Sequence, residues 1–317
     1  MHNKMKKYIF IIVFILVFFI MLKYSEEIST LKSHIYSQMH AAQISTGNTA
    51  DPQIAKALAS VGIDPYVSAA DLSPVSRNGT EWFINAPLIY HACGGIRGID
   101  YTNSREALLS CLSENAHFIE VDFSFTSDGR LVCMHDWDNS SFDNEIPNYH
   151  DFMSSLIYGK YTPLSAEDII SYMSENPELY IIIDTKDSLP EVMNNVVSLT
   201  SDASVLNRLI IQIYYPGEKE KISNIYQFPD DNYLLTLYKL PGLILSAEQI
   251  LGICYKENIN VITAPYSYFS EDDINLINSK NFVIYEHTIN RPDIAKAQLA
   301  KGIHGLYTDF LYIDDIS

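Results

Sequence analysis

The chain has 317 residues, enough for one large domain or two ordinary ones, and its 47% hydrophobic content can fill a large core. The formal net charge of −18 excludes nucleic acid as a main partner, because a phosphate backbone selects a basic surface. It leaves room for a small anionic substrate, since a bound cation reverses the local field.

Residues 8–22, YIFIIVFILVFFIML, are an unbroken apolar run between Lys7 and Lys23. The run is shorter than the roughly 20 residues of a full span, but snorkelling lysines and the flanking Tyr24 extend its reach. A cleaved signal peptide is the alternative reading, and Lys23-Tyr24-Ser25-Glu26-Glu27 is a poor cleavage site for it. Residues 8–23 therefore read as an uncleaved membrane anchor. Lys4, Lys6 and Lys7 precede it while Glu26 and Glu27 follow. The positive-inside rule then keeps residues 1–7 in the cytoplasm and sends the remainder outside. Residues 24–83 read as a stalk of polar and small residues, with a helical pattern near 27–45 and breaks at Asp64-Pro65 and Ser73-Pro74.

Over residues 84–317 short apolar runs alternate with amphipathic stretches. The strand candidates are Leu88–His91, Phe118–Phe123, Leu131–His135, Leu179–Asp184, Leu209–Tyr214, Tyr233–Tyr238, Val261–Pro265, Phe282–His287 and Gly305–Thr308. Helices are expected over 103–115, 165–176, 189–201, 217–227, 246–257, 270–279 and 291–301, with Asn103, Ser165, Ser246 and Ser270 as N-caps. Strands alternating with helices imply parallel β-α units. Ser127-Asp128-Gly129-Arg130 reads as a tight turn that makes Leu131–His135 a hairpin arm. The remaining strands fit an α/β fold of the (β/α)8 TIM-barrel type. An open doubly wound sheet competes, but no Gly-x-Gly-x-x-Gly follows the first strand. The cysteines, Cys93, Cys111, Cys133 and Cys254, match no zinc spacing. Cys111, Cys133 and Cys254 read as buried free thiols, and the pairing of Cys93 stays open.

Chemistry concentrates around Glu120-Val-Asp122. Alternate strand residues share a face at roughly 7 Å, so these two carboxylates project together among apolar neighbours. Either one takes a proton or a cation sits between them. In a barrel, functional groups gather at the C-terminal ends of strands. Those ends carry His91, Glu120, Asp122, His135, Asp184 with Lys186, Gln212 with Tyr214, Tyr238 and His287. Glu120, Asp122 and Asp184 form a candidate Mg²⁺ or Ca²⁺ site of hard oxygen ligands. His91 and His135 are candidates for a general base and a general acid, and Lys186 adds positive charge. That inventory suits an anionic phosphodiester. Trp137 and Tyr214 are candidate substrate contacts.

The ordered motifs resemble those of the glycerophosphodiester phosphodiesterases. His91, Thr102-Asn103-Ser104, Glu120-Val-Asp122, Thr126-Ser-Asp128-Gly129, Val132-Cys-Met-His135-Asp136, Asp184-Thr-Lys186, Thr288-Ile-Asn290 and Gly305-Leu-Tyr-Thr308-Asp309 match that family's signatures in order. The resemblance implies a TIM-type barrel and metal-dependent cleavage of a phosphodiester. It assigns the cation to Glu120, Asp122 and Asp184, the acid/base pair to His91 and His135, and a phosphate contact to Lys186. Two positions depart from the pattern. The family's arginine after the first histidine is absent, the chain reading His91-Ala92-Cys93-Gly94-Gly95, and Arg97 is a candidate to replace it. The third carboxylate is Asp184 rather than glutamate, as in the related venom sphingomyelinase D enzymes. The substrate is thus open among glycerophosphodiesters, lysophospholipids, phosphoinositides and surface polymers. A glycoside hydrolase on the same barrel and a non-catalytic barrel that binds lipid headgroups or surface polymers are the alternatives.

Overall fold

A computed structural model describes residues 59, 62, 64, 66–137, 142, 145–237 and 245–317. The anchor expected at 8–23, the helical pattern near 27–45 and Tyr238 lie outside them. Among the described residues no helix is long and apolar enough to cross a membrane.

The strands are β1 (Leu88–Tyr90), β2 (Phe118–Phe125), β3 (Leu131–Cys133), β4 (Tyr180–Thr185), β5 (Leu209–Ile213), β6 (Tyr233–Thr236), β7 (Val261–Pro265), β8 (Val283–His287) and β9 (Gly305–Thr308). Runs such as Ile181-Ile182-Ile183 and Leu209-Ile210-Ile211 are strand-forming and fully covered, as a parallel sheet between helices demands. All strands except β3 pair in parallel. β1 pairs with both β9 and β2, which closes the barrel and excludes the doubly wound alternative. β3 is an antiparallel arm on β2, with Phe123 opposite Cys133. The turn between them closes through the Gly129 N–H on the Thr126 carbonyl at 2.9 Å, with Gly129 at φ 76°.

Helices follow most of the parallel strands and begin where their caps are. Ser165, Ser246 and Ser270 each accept a backbone N–H of the first turn, completed into capping boxes by Asp168, Gln249 and Asp273. The first helix, Arg105–Ser113, departs from expectation: Ser104 caps it rather than Asn103. Asn103 is instead turned into the barrel mouth at φ 44°. The helix expected over 217–227 is Glu218–Ser223, and short helices at Tyr149–Ser154 and Ala203–Leu206 were not expected.

The lower lumen is apolar, packed by Ile89, Phe118, Ile182, Ile210, Leu234, Val261, Val283, Tyr285 and Tyr307. Trp82 and Phe83, at the end of the expected stalk, belong to this cluster. Trp82 stacks on Tyr285 at 5.9 Å between ring centroids, and its indole N–H donates to the Asp231 carbonyl at 2.7 Å. Further contacts hold the preceding segment against the barrel, among them Val75 N–H to the Lys280 carbonyl at 3.0 Å and Asn281 Nδ2 to the Val75 carbonyl at 2.9 Å. The lumen turns polar further up, where Glu120, Gln212, Thr236 and Thr263 are all buried. All four cysteines are buried and free, Cys93 included.

Phe83 is fully buried. Phe83→Ala should lower the unfolding free energy by about 3–5 kcal/mol, measured by urea titration, although Phe83 lies outside the barrel boundary read from sequence.

Candidate active site

Strand register brings the carboxylates together. Glu120 and Asp122 lie on the lumen face of β2, and Asp122 stands directly opposite Asp184 on β4. Ligand oxygens of the three lie within 4.8 Å of one another. Each carboxylate is braced from one side. Ala92 N–H donates to Glu120 Oε2 at 2.7 Å. Asn103 Nδ2 donates to Asp122 Oδ2 at 2.8 Å, while its carbonyl oxygen accepts the Asp122 N–H at 3.1 Å. Thr185 N–H donates to Asp184 Oδ1 at 2.6 Å. Glu120 Oε1 is buried and has no hydrogen-bond partner. A buried acceptor left over in an acidic cluster fits a hard divalent cation, and these three carboxylates could hold one. Burial, then the charges of Asp122 and Asp184, push the Glu120 carboxyl well above its usual range, against the opposing pull of His91 and the Ala92 N–H.

Both candidate imidazoles stand on carboxylates. His91 follows β1, and its Nδ1 is 2.9 Å from Asp309 Oδ1 at the end of β9. Asn290 holds Asp309 in place, donating Nδ2 to Asp309 Oδ2 at 2.7 Å and accepting the Asp309 N–H at 2.8 Å. Burial opposes a charge on His91. The Asp309 hydrogen bond and the carboxylates of Glu120, Asp309 and Asp122 outweigh it and raise the imidazole to about 10. His135 returns to the site because β3 runs back along β2, the Met134 N–H meeting the Asp122 carbonyl at 2.9 Å. Its Nδ1 is 2.7 Å from Asp136 Oδ2. Lys186 Nζ lies 3.2 Å from both that oxygen and His135 Nδ1. One nitrogen cannot donate to Asp136 and accept from Lys186 together. The shorter contact to a carboxylate assigns the proton to Nδ1, and the ammonium then pairs with Asp136. On the same reasoning His91 Nδ1–H donates to Asp309, so each ring keeps Nε2 for chemistry.

Among the described residues, the other candidates show no contact with the three carboxylates. Arg97 is exposed at the tip of a turn closed by Ile96 and Ile99 and makes no hydrogen bond or ion pair among the described residues. Trp137 packs on Phe142 and Phe152, at 6.1 and 5.6 Å between centroids. Tyr214 is buried, with its N–H on Glu218 Oε2 at 2.8 Å. His287 ends β8, and burial with the nearby His91 lowers it to about 3. The motifs contain Asp136, Asn290 and Asp309 without giving them work, and Asn103 is expected there only as a helix cap. Asp309 was the most accessible to sequence reasoning, since it directly follows the strand that must close against β1. Tyr101 carried no signal at all, yet its ring meets His91 and His135 at 4.5 and 4.6 Å between centroids.

The parallel barrel thus carries an acidic cluster and two carboxylate-backed imidazoles at its C-terminal mouth. No protein-family model matches the chain, and no curated protein does. Solved structures do match. A phosphodiesterase from Oleispira antarctica, in complex with the product sn-glycerol-3-phosphate, is 15% identical over 70% of this chain and 92% of its own, with a TM-score of 0.56. Glycerophosphodiester phosphodiesterases from Thermotoga maritima (20% identity, 70% and 94% coverage, TM-score 0.52) and Parabacteroides distasonis (16%, 70% and 92%, 0.55) are similar in the same way. The chain has the barrel fold of these enzymes, as its motif order implies.

Asp309→Asn removes the charge that His91 faces. In chelator-treated protein this should shift the His91 titration well down from about 10, followed through its imidazole C–H resonance against pH. An unmoved midpoint would refute the assignment of Asp309 as the main support of the imidazolium.

Proposed function

We propose that this chain is a metal-dependent phosphodiesterase acting on a glycerophosphodiester-like substrate or a related lipid or surface phosphodiester. The observation that carries the reading is Glu120 Oε1, a buried carboxylate oxygen without a partner, set among three carboxylates with carboxylate-backed imidazoles beside them. Glu120, Asp122 and Asp184 would hold Mg²⁺ or Ca²⁺. That cation would neutralise a non-bridging phosphate oxygen and make phosphorus a better electrophile.

The protein's own groups do the rest. His91, driven toward its charged form by Asp309, gives its Nε2 proton to the leaving oxygen as the P–O bond breaks. His135, with Nδ1–H committed to Asp136, takes the proton of the attacking hydroxyl on Nε2. Lys186, half exposed beside His135, meets a second phosphate oxygen. Arg97 stays a candidate for the missing arginine only if its loop swings inward. The carboxylate spacing disfavours the glycosidase reading. Oxygens inside 4.8 Å leave less room than the roughly 5–5.5 Å or more that flanking carboxyls need around a sugar. Residues 8–23 would anchor the chain in a membrane with the barrel outside the cytoplasm, a reading supported by the apolar run and its charge asymmetry.

Chelation should abolish hydrolysis of bis(p-nitrophenyl) phosphate and of glycerophosphocholine, and Mg²⁺ or Ca²⁺ should restore it. Activity that survives exhaustive chelation would remove the metal from the mechanism. His91→Ala and His135→Ala should each lower kcat by roughly 10²–10⁴-fold with an unchanged circular dichroism spectrum; full turnover in either variant would end the His-pair reading.

A further inference from the structure

We propose that Tyr101 is a positioning residue that sets the orientation and spacing of the His91 and His135 imidazoles; this rests on the phosphodiesterase reading above. Its ring meets His91 edge-on at 4.5 Å and an interplanar angle of 86°, and His135 at 4.6 Å and 68°. T-shaped contacts of this kind are favourable and directional. The two imidazoles come from distant parts of the chain, one after β1 and the other after the β3 arm, and the Tyr101 ring touches both.

The need for such a residue follows from how the imidazoles are held. Each is tied through Nδ1 to one carboxylate, His91 to Asp309 and His135 to Asp136. A single hydrogen bond fixes the tautomer but lets the ring swing about the line of that bond. Proton transfer at opposite oxygens of one phosphodiester requires both Nε2 atoms within hydrogen-bond reach at the same time. A ring packed against both imidazoles restricts both swings and couples their separation to one element.

Tyr101 is itself held. Its φ is 52°, rare for a residue with a side chain. The turn closed by Ile96 and Ile99 precedes it, and Asn103 follows, bonded through its N–H to the Ala92 carbonyl at 3.2 Å and through its side chain to Asp122. The loop thus ties the wedge to a carboxylate of the acidic cluster. The Tyr101 hydroxyl makes no hydrogen bond among the described residues, so the ring does the positioning and phenylalanine should suffice. At 39% exposed, the side chain can be removed without opening the core.

The test compares Tyr101→Phe and Tyr101→Ala in the full chain with Mg²⁺ and bis(p-nitrophenyl) phosphate. The alanine variant should lose kcat on the order of 10²-fold with KM little changed, and the phenylalanine variant should stay within about twofold of the parent. Independently of turnover, the Cε1–H resonances of His91 and His135, assigned with His91→Gln and His135→Gln, should both move in Tyr101→Ala and hold in Tyr101→Phe. An alanine variant with parental kcat, or one in which only one imidazole resonance moves, overturns the proposal. A parent chain without diesterase activity overturns the functional reading instead, and the resonance comparison still decides whether Tyr101 governs both rings.

Discussion

Mutual repulsion among Glu120, Asp122 and Asp184 is the constraint that organises the upper half of this barrel. At about 4 Å two unit charges repel by on the order of 4 kcal/mol even at an effective dielectric of 20, and here the oxygens of three carboxylates share a span of 4.8 Å. The apolar lower lumen offers no relief, so every compensating group comes from the rim. Ala92 donates its N–H from a backbone at φ 49°, and Asn103 donates its amide from one at φ 44°. The loops after β1 adopt conformations that residues with side chains rarely take, and the outcome is two donors aimed at the acidic cluster. The absent arginine belongs to the same arrangement. The position after His91 is given to a small buried residue whose main chain serves Glu120.

Closure of the sheet is the second dependency. His91 and Asp309 are separated by 218 positions in the chain and become neighbours because β1 pairs with β9. The state of the His91 imidazole therefore rests on the last strand being in register with the first. His135 has a local counterpart in Asp136, its immediate neighbour in sequence. The two imidazoles are alike in chemistry and unlike in origin, one assembled by topology and the other by a hairpin.

What could be read from the sequence follows from the range of each interaction. Strand existence, the β3 arm and the caps at Ser165, Ser246 and Ser270 depend on local pattern and were legible. So was the common face of Glu120 and Asp122, which the period of a strand dictates. Asp184 needed the barrel as well: its place at a strand end made it a candidate, and the β2–β4 register sets it opposite Asp122. Asn103 was misread because a helix-capping residue and a residue that grips a carboxylate have the same short amide side chain. The backbone at φ 44° decides between them, and asparagine's tolerance of that region is too general to single the position out. Trp82 and Phe83 read as stalk because a short 3₁₀ turn has no periodicity to announce it. Tyr101 was invisible because its contacts lie ten residues back in its own loop, at His91, and beyond the β3 arm, at His135.

The aromatic floor built from Trp82, Phe83, Tyr285 and Tyr307 makes the barrel a vessel with one opening. Any ligand that reaches the acidic cluster enters and leaves by the same rim, so under the proposed reaction a departing product and an incoming substrate would share one passage. If the chain works as proposed, the rate at which the rim clears bears on turnover alongside the bond-breaking step.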